Sequence, residues 1–115
     1  MDTESALRKS DIAWGYIKVG DTLLGLGRKG EALTDFQKAT ALAEQITGAD
    51  PNNADWEQVL LWSEWRLSEQ GDESAARLGN MTARMRALKT ENRLSADLAR
   101  LLPIAEARLA KLSGE

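Results

Sequence analysis

The stretch DIAWGYIKVGDTLLGLGRKGEALTDFQKA, residues 11–39, decides the fold of this chain. Its residues favour helix, and its apolar residues recur at intervals of three and four on both sides of a glycine-rich break. The first segment carries one apolar face with Ile12, Tyr16, Val19, Leu23 and Leu26, and a second face with Trp14, Ile17 and Leu24. Two such segments joined by a short turn predict an antiparallel helical hairpin, with one face of its first helix packed or binding a partner.

The same signals continue along the chain and predict an all-α protein with five helices near 4–26, 31–47, 54–70, 73–89 and 92–112. The third segment is apolar nearly all round, which is typical of a central buried helix. Asn53 and Gly71 are expected to cap its two ends, and Asp72 to cap the start of the fourth helix. Pro103 falls inside the fifth pattern, where it either kinks one helix or divides it in two.

Composition limits the kinds of function open to this protein. Its 115 residues, 43% apolar and 29% charged, suffice for one domain with a real core. The absence of Cys and His removes disulfides, thiolate chemistry and the commonest general base and metal ligand. We therefore expect no catalytic residue, no cofactor and no metal. No apolar run reaches membrane length and no secretory signal is apparent, so we expect a cytoplasmic protein without a membrane partner.

An internal repeat relates the two helix pairs. A shift of 44 residues places Gly27 on Gly71, and it places the alanines at 32, 39 and 43 on those at 76, 83 and 87. Small residues that recur on the second helix of each pair allow helices to approach closely. Stacked hairpins sharing one continuous core are therefore predicted.

The first pair resembles a tetratricopeptide repeat of the long-period bacterial type. The resemblance is carried by Tyr16, Val19, Gly20, Leu23, Ala32, Phe36 and Ala39, with Pro51 as a late closing proline. It implies a short right-handed superhelix in a single domain, 1–115, with repeats at about 11–50 and 54–90 and a capping helix at about 92–112. The second repeat departs from the pattern at Glu64 and Asn80, which replace a small residue and an aromatic. Using Ser63 as the small residue would repair the first departure.

The resemblance also implies a concave groove lined by the first helix of each pair. The expected partner-binding residues are Trp14, Ile17, Asp21, Leu24, Leu61, Trp62 and Trp65. Such residues would anchor an apolar or helical peptide of a protein partner. The alternative is that the tryptophans fill the core, which we expect of Trp56. Acidic residues near the groove, Asp21, Glu64 and Glu69, favour a neutral or basic ligand.

Charge is distributed unevenly, with 7 Lys/Arg and 14 Asp/Glu in residues 1–75 and 8 against 4 in residues 76–115. The basic residues Arg77, Arg84, Arg86, Lys89 and Arg93 are spread around their helices. We therefore expect no nucleic-acid partner. The leading interpretation is a protein-interaction or scaffold module. The alternative is a homo-oligomerisation module of a larger bacterial signalling protein, forming a homodimer through the apolar groove or through Met81 and Met85.

Overall fold

The computed structural model describes residues 2–114, which form five α-helices and no strand. The helices are α1 (Thr3–Gly25), α2 (Lys29–Ala49), α3 (Ala54–Glu69), α4 (Ser74–Thr90) and α5 (Ala96–Leu112). All five predicted helices are therefore confirmed. The largest difference is the start of α5, because Asn92 adopts a left-handed φ of 59° and ends the preceding turn. Ser95 then caps α5 by accepting a hydrogen bond from the Leu98 amide at 3.3 Å.

The helices form an all-α stack of antiparallel hairpins. Helices α1 and α2 make the first hairpin and α3 and α4 the second, and α5 packs against α4. Contacts between α2 and α3 join the two hairpins. The molecule measures 44 × 38 × 21 Å, and the short dimension corresponds to two layers of helices. Within residues 2–114, every helix is too short or too polar to cross a bilayer.

The turns within the two hairpins are equivalent, as the internal repeat predicts. Gly27 and Gly71 both adopt the left-handed conformation, with φ of 77° and 82°. In each turn the backbone amide of the residue after the glycine donates a hydrogen bond to the carbonyl five residues earlier, and this bond ends the helix. These bonds join Arg28 to Leu23 at 2.8 Å and Asp72 to Leu67 at 3.1 Å. Only glycine adopts this conformation without steric cost, so the break in each helical pattern is fixed by sequence.

The predicted caps of α3 are confirmed, and that of α4 is wrong. Asn53 accepts a hydrogen bond from the Trp56 amide at 3.1 Å. Asp72 does not cap α4, because its amide already closes the preceding turn and its carboxylate pairs with Arg77 at 3.4 Å. Glu73 stands at the cap position instead, with φ of 49° and no side-chain cap bond. Pro103 lies exposed inside one continuous α5, so it does not divide the helix.

The first hairpin depends on close approach between α1 and α2. A Cβ added at Gly20 would lie 2.4 Å from Cε1 of Phe36, so the ring of Phe36 rests directly on the α1 backbone. The buried stripe of α1 consists mainly of small residues: Ala6, Ser10, Ala13, Ile17 and Gly20. Ala39 and Ala43 of α2 are fully buried, as the repeat predicts for this pair.

The second hairpin packs differently, although its chain pattern is related. Its core, shared with α5, contains Leu61, Trp65, Leu78, Met81, Met85, Leu88, Leu98, Leu101, Leu102 and Ala105. Ala83 and Ala87 are exposed, so the prediction that they bring α4 close to its neighbours is wrong. Ser63 is fully buried and Asn80 exposed, and Met81 rather than Asn80 enters the core. The register of packing has thus moved by one residue in both helices.

The close crossing of α1 and α2 can be tested with two glycines of the same helix. Gly20→Ala should lower the free energy of unfolding by about 1–3 kcal/mol, because its methyl group overlaps the Phe36 ring. Gly15→Ala meets nothing within 4 Å and should raise it by about 0.5–1 kcal/mol, through helix propensity. Urea unfolding measures both. Equal effects from the two substitutions would contradict the crossing.

Candidate functional site

A cleft between α1 and α3 brings together several residues predicted to line a groove. It encloses about 240 Å³ and is lined by Trp14, Ile17, Lys18, Asp21, Trp62 and Arg66. Trp14 and Trp62 are half-buried and form its two walls, one from each hairpin. Ile17 is 4% exposed and forms part of the floor. The cleft exists because α1 and α3 make only a slight contact with each other, whereas α2 holds both.

The other predicted groove residues lie outside this cleft. Leu61 is fully buried and Trp65 is 6% exposed, in the core shared with α5. Arg108 of α5 covers the Trp65 ring, with its guanidinium carbon 4.6 Å from the ring centre. Leu24 is half-buried against the cluster around Phe36. Leu61 and Trp65 therefore have almost no surface to offer a partner, since α5 occupies the position expected for an open groove.

Trp56 lies in the core as expected, packed with Ala6 of α1 and Ile46 of α2. It is 9% exposed, and its backbone amide is held by the Asn53 cap. The four tryptophans thus divide into two pairs. Trp56 and Trp65 serve packing, and Trp14 and Trp62 keep exposed surface on the cleft.

Electrostatic pairing closes one end of the cleft. The guanidinium of Arg66 donates to both carboxylate oxygens of Asp21, at 2.7 and 3.2 Å, and lies 5.8 Å from the centre of the Trp62 ring. Arg66 is also 3.5 Å from the carboxylate of Glu69. Arg66 and Lys18 together balance Asp21 and Glu69, so the cleft carries no excess negative charge. Of the neutral or basic ligand expected, a basic one therefore has no support from the charges here, and a neutral, apolar group suits the site better. Arg66 was not predicted to belong to the groove, although its position four residues after Trp62 places it on the same face of α3.

The basic residues of the second half are largely paired within the chain. Four of the five form ion pairs, with Asp72 for Arg77, Glu57 for Arg84, Glu106 for Arg86 and Glu91 for Arg93. Arg93 additionally donates to the carbonyl of Asn52. These pairs reduce the positive charge open to phosphate groups, and each one is modest in energy because it lies near the surface.

The outer face of α1 is apolar and uncovered. Ile12, Val19 and Leu26 are 49%, 51% and 66% exposed. The residues 44 positions later on α3 are Trp56 and Ser63, which are buried, and Gln70, which is half-buried. Helix α2 covers that face of α3 through Ile46, Phe36 and Ala43, among others. No helix within residues 2–114 does the same for α1.

The stripe of Met81 and Met85, in contrast, is fully buried beneath α5 and cannot pair with a second copy.

A larger cavity of about 760 Å³ opens between α2, α3 and α4. Its floor is formed by Leu60 and Glu64 of α3, and α4 contributes Asn80, Ala83 and Ala87. Glu64 and Asn80 are the two residues at which the second repeat departs from the pattern of the first. In the first hairpin Phe36 fills the space above Gly20. In the second hairpin Ser63 and Met81 take the core positions, and the carboxyl group of Glu64 faces the cavity.

Burial raises the pKa of Glu64 to about 7. The side chain is 5% exposed and makes no hydrogen bond or ion pair with any residue in 2–114. Arg77 and Arg84 lower its pKa in part, and the carboxylate of Glu44 raises it. Arg84 pairs with Glu57 at 2.8 Å, and Arg77 pairs with Asp72 through one terminal nitrogen, while its buried Nε has no partner among residues 2–114. Desolvation therefore prevails, because no donor compensates the charged form.

Comparisons with protein-family models, with curated proteins and with solved structures gave no match to this chain. The tetratricopeptide resemblance accordingly stays a prediction from the residues quoted above. Residues 2–114 contain no group of three or more acidic side chains placed to hold a metal ion.

The unpaired carboxyl of Glu64 predicts an unusual pH dependence of stability. Between its unfolded pKa near 4.5 and its folded value of about 7, the folded state binds the extra proton. The contribution of Glu64 protonation to the free energy of unfolding is therefore fully present below pH 4.5 and is lost as the pH rises to about 7. From pH 4 to pH 8, wild type should lose about 3 kcal/mol relative to Glu64→Gln, whose amide does not ionise.

Urea unfolding across this pH range measures the difference. Glu69→Gln, on the same helix but exposed, serves as the control and should track wild type closely. A wild-type protein that gains stability relative to Glu64→Gln as pH rises would show that the carboxylate is compensated in the folded state.

Proposed function

We propose that this chain is a cytoplasmic, non-catalytic protein-interaction module of tetratricopeptide-like architecture. It binds an apolar side chain of a partner peptide or helix in the cleft between α1 and α3. The single observation that carries the proposal is the juxtaposition of Trp14 and Trp62 across one cavity. They come from different hairpins, 48 positions apart in the chain.

The size and lining of the cleft support an anchor residue rather than a free metabolite. Small-molecule pockets commonly measure about 300–1,000 Å³, and this cleft of about 240 Å³ is smaller. Tryptophan is the residue most often responsible for binding energy at protein interfaces, particularly where a pocket excludes water. The Arg66–Asp21 pair forms a fixed polar rim at one end, which would orient a peptide without adding net charge.

A selection of displayed helical peptides against the whole chain provides a probe for this cleft. The tightest peptide should bind Trp62→Ala about tenfold or more weakly than wild type, since truncation removes one wall of the anchor pocket. Trp14→Ala should weaken the same peptide similarly. Fluorescence anisotropy of the labelled peptide gives the dissociation constants.

The matched control is Ile104→Ala, which removes an equally apolar, 54% exposed side chain from α5. It should leave peptide affinity unchanged. Thermal unfolding of each variant separates lost contact from lost fold. A peptide whose affinity is insensitive to both tryptophans in folded variants would rule out the cleft as the binding site.

The outer face of α1 favours a second candidate function, self-association. Two of its three exposed apolar residues, Ile12 and Val19, correspond to buried positions on α3, where α2 packs through residues such as Ile46. A helix of a second copy would bury the equivalent surface of α1. Exposed apolar patches of this kind commonly mark interfaces. The surface now expected to pair consists of Ile12, Val19 and Leu26, and no longer of Met81 and Met85.

Light scattering coupled to size-exclusion chromatography, over a concentration series, tests this second candidate. Wild type should show the mass of a dimer at high concentration, and Val19→Asp should be a monomer, because a charge in the apolar contact is costly to desolvate. Ile104→Asp, on α5, is the control and should dimerise as wild type does. A wild-type monomer at every concentration would reject self-association and leave the cleft as the only proposal.

A further inference from the structure

The cavity between α2, α3 and α4 lies apart from the Trp14–Trp62 cleft and shares no lining residue with it. Its volume of about 760 Å³ falls within the range of about 300–1,000 Å³ that is usual for small-molecule sites. Much of the lining is small or apolar, including Leu60, Ala83 and Ala87. Glu64 is the polar side chain buried deepest in it, and no residue in 2–114 donates to its carboxylate.

The charges around the cavity do not balance. Arg84 lines it but is matched by Glu57 at 2.8 Å, and Arg77 nearby is matched by Asp72 at 3.4 Å. Glu64 and Glu44, which line the cavity from α3 and α2, have no basic partner among residues 2–114. Glu64 is buried and Glu44 is exposed at the edge of the cavity. The buried carboxylate of Glu64 favours a ligand that brings positive charge, because it gains most from a charge-assisted hydrogen bond.

The surroundings favour an organic cation over a metal ion. Calcium and magnesium require about six or more oxygen ligands. The lining offers two carboxylates, the Thr47 hydroxyl and the Asn80 amide, together with the positive charge of Arg84. Residues 2–114 hold no group of three acidic side chains placed to bind a metal ion. An alkylammonium group needs only one carboxylate and carries an apolar chain, which would pack on Leu60, Ala83 and Ala87. Both parts of such a molecule therefore match the lining.

We propose that this cavity is a binding site for a small organic cation with a primary ammonium group, in which Glu64 pairs with the ammonium and α4 receives the alkyl chain. This site is independent of the peptide cleft, since its residues belong to a different face of α3.

The probe is n-pentylamine, titrated into isotopically labelled protein and followed by amide chemical shifts at Gly48, Ala83 and Ala87. Saturable shifts at these positions are expected, and n-pentanol, which has the same chain without charge, should bind at least tenfold more weakly. Affinity should rise about tenfold from pH 6 to pH 8, because Glu64 ionises with a pKa of about 7 while the amine stays protonated.

Two variants separate the carboxylate from the cavity. Glu64→Gln keeps the shape and should weaken pentylamine binding at least tenfold, and Ala83→Leu keeps the carboxylate but fills the space and should do the same. Glu69→Gln lies outside the cavity and should bind as wild type does. Proton spectra with dispersed amide signals establish that each variant is folded.

Three results would overturn the proposal. These are an absence of saturable shifts at the cavity, equal binding of pentylamine and pentanol, and unchanged affinity in Glu64→Gln. The second would show a purely apolar cavity, and the third would assign the ammonium to a surface carboxylate.

Discussion

The contact of the Phe36 ring with the backbone at Gly20 is the constraint on which the rest of the structure depends. It brings α2 against α1 more closely than any side chain at position 20 would allow. Phe36 also packs with Leu67 of α3, so the same ring joins the first hairpin to the second. Because α2 is held in this way, it can bury one face of α1 and one face of α3 together. The positions of both α1 and α3 follow from that one crossing, and so does the cleft between them.

The second hairpin shows what the fold does without this contact. Glu64 and Asn80 stand where glycine and phenylalanine would be expected, and packing moves by one residue to Ser63 and Met81. The core of the second hairpin is filled by Met81, Met85 and side chains of α5, since methionine adapts to irregular spaces. These residues do not fill the side that faces α2, where a cavity is lined by the buried carboxyl group of Glu64. Residues that break a local rule without compensation often mark function, and Glu64 is such a residue.

Three surfaces of this small molecule remain unsatisfied in different physical ways. The cleft between α1 and α3 exposes aromatic area beside neutralised charges, the outer face of α1 exposes aliphatic area with no helix above it, and the cavity holds a carboxyl without a donor. Elsewhere, ion pairs such as Arg86 with Glu106 satisfy many of the charged groups. A scaffold of stacked hairpins produces this situation readily, because each helix needs a neighbour on more than one side. The interactions proposed for the chain follow from those missing neighbours.

The sequence by itself determined the five helices, the glycine turns at positions 27 and 71, the Asn53 cap and the packing of the first hairpin, because these depend on local conformation and on periodicity along one helix. It also identified Glu64 and Asn80 as departures from the repeat. Only the tertiary structure decided which apolar residues are covered. Leu61 and Trp65 share the character of Trp14 and Trp62, but α5 packs over the former pair and leaves the latter open. Likewise, Asp21 and Arg66, 45 positions apart, become partners through the stacking of the hairpins. Burial and ion pairing across helices depend on the crossing of distant segments, which periodicity within each segment does not specify.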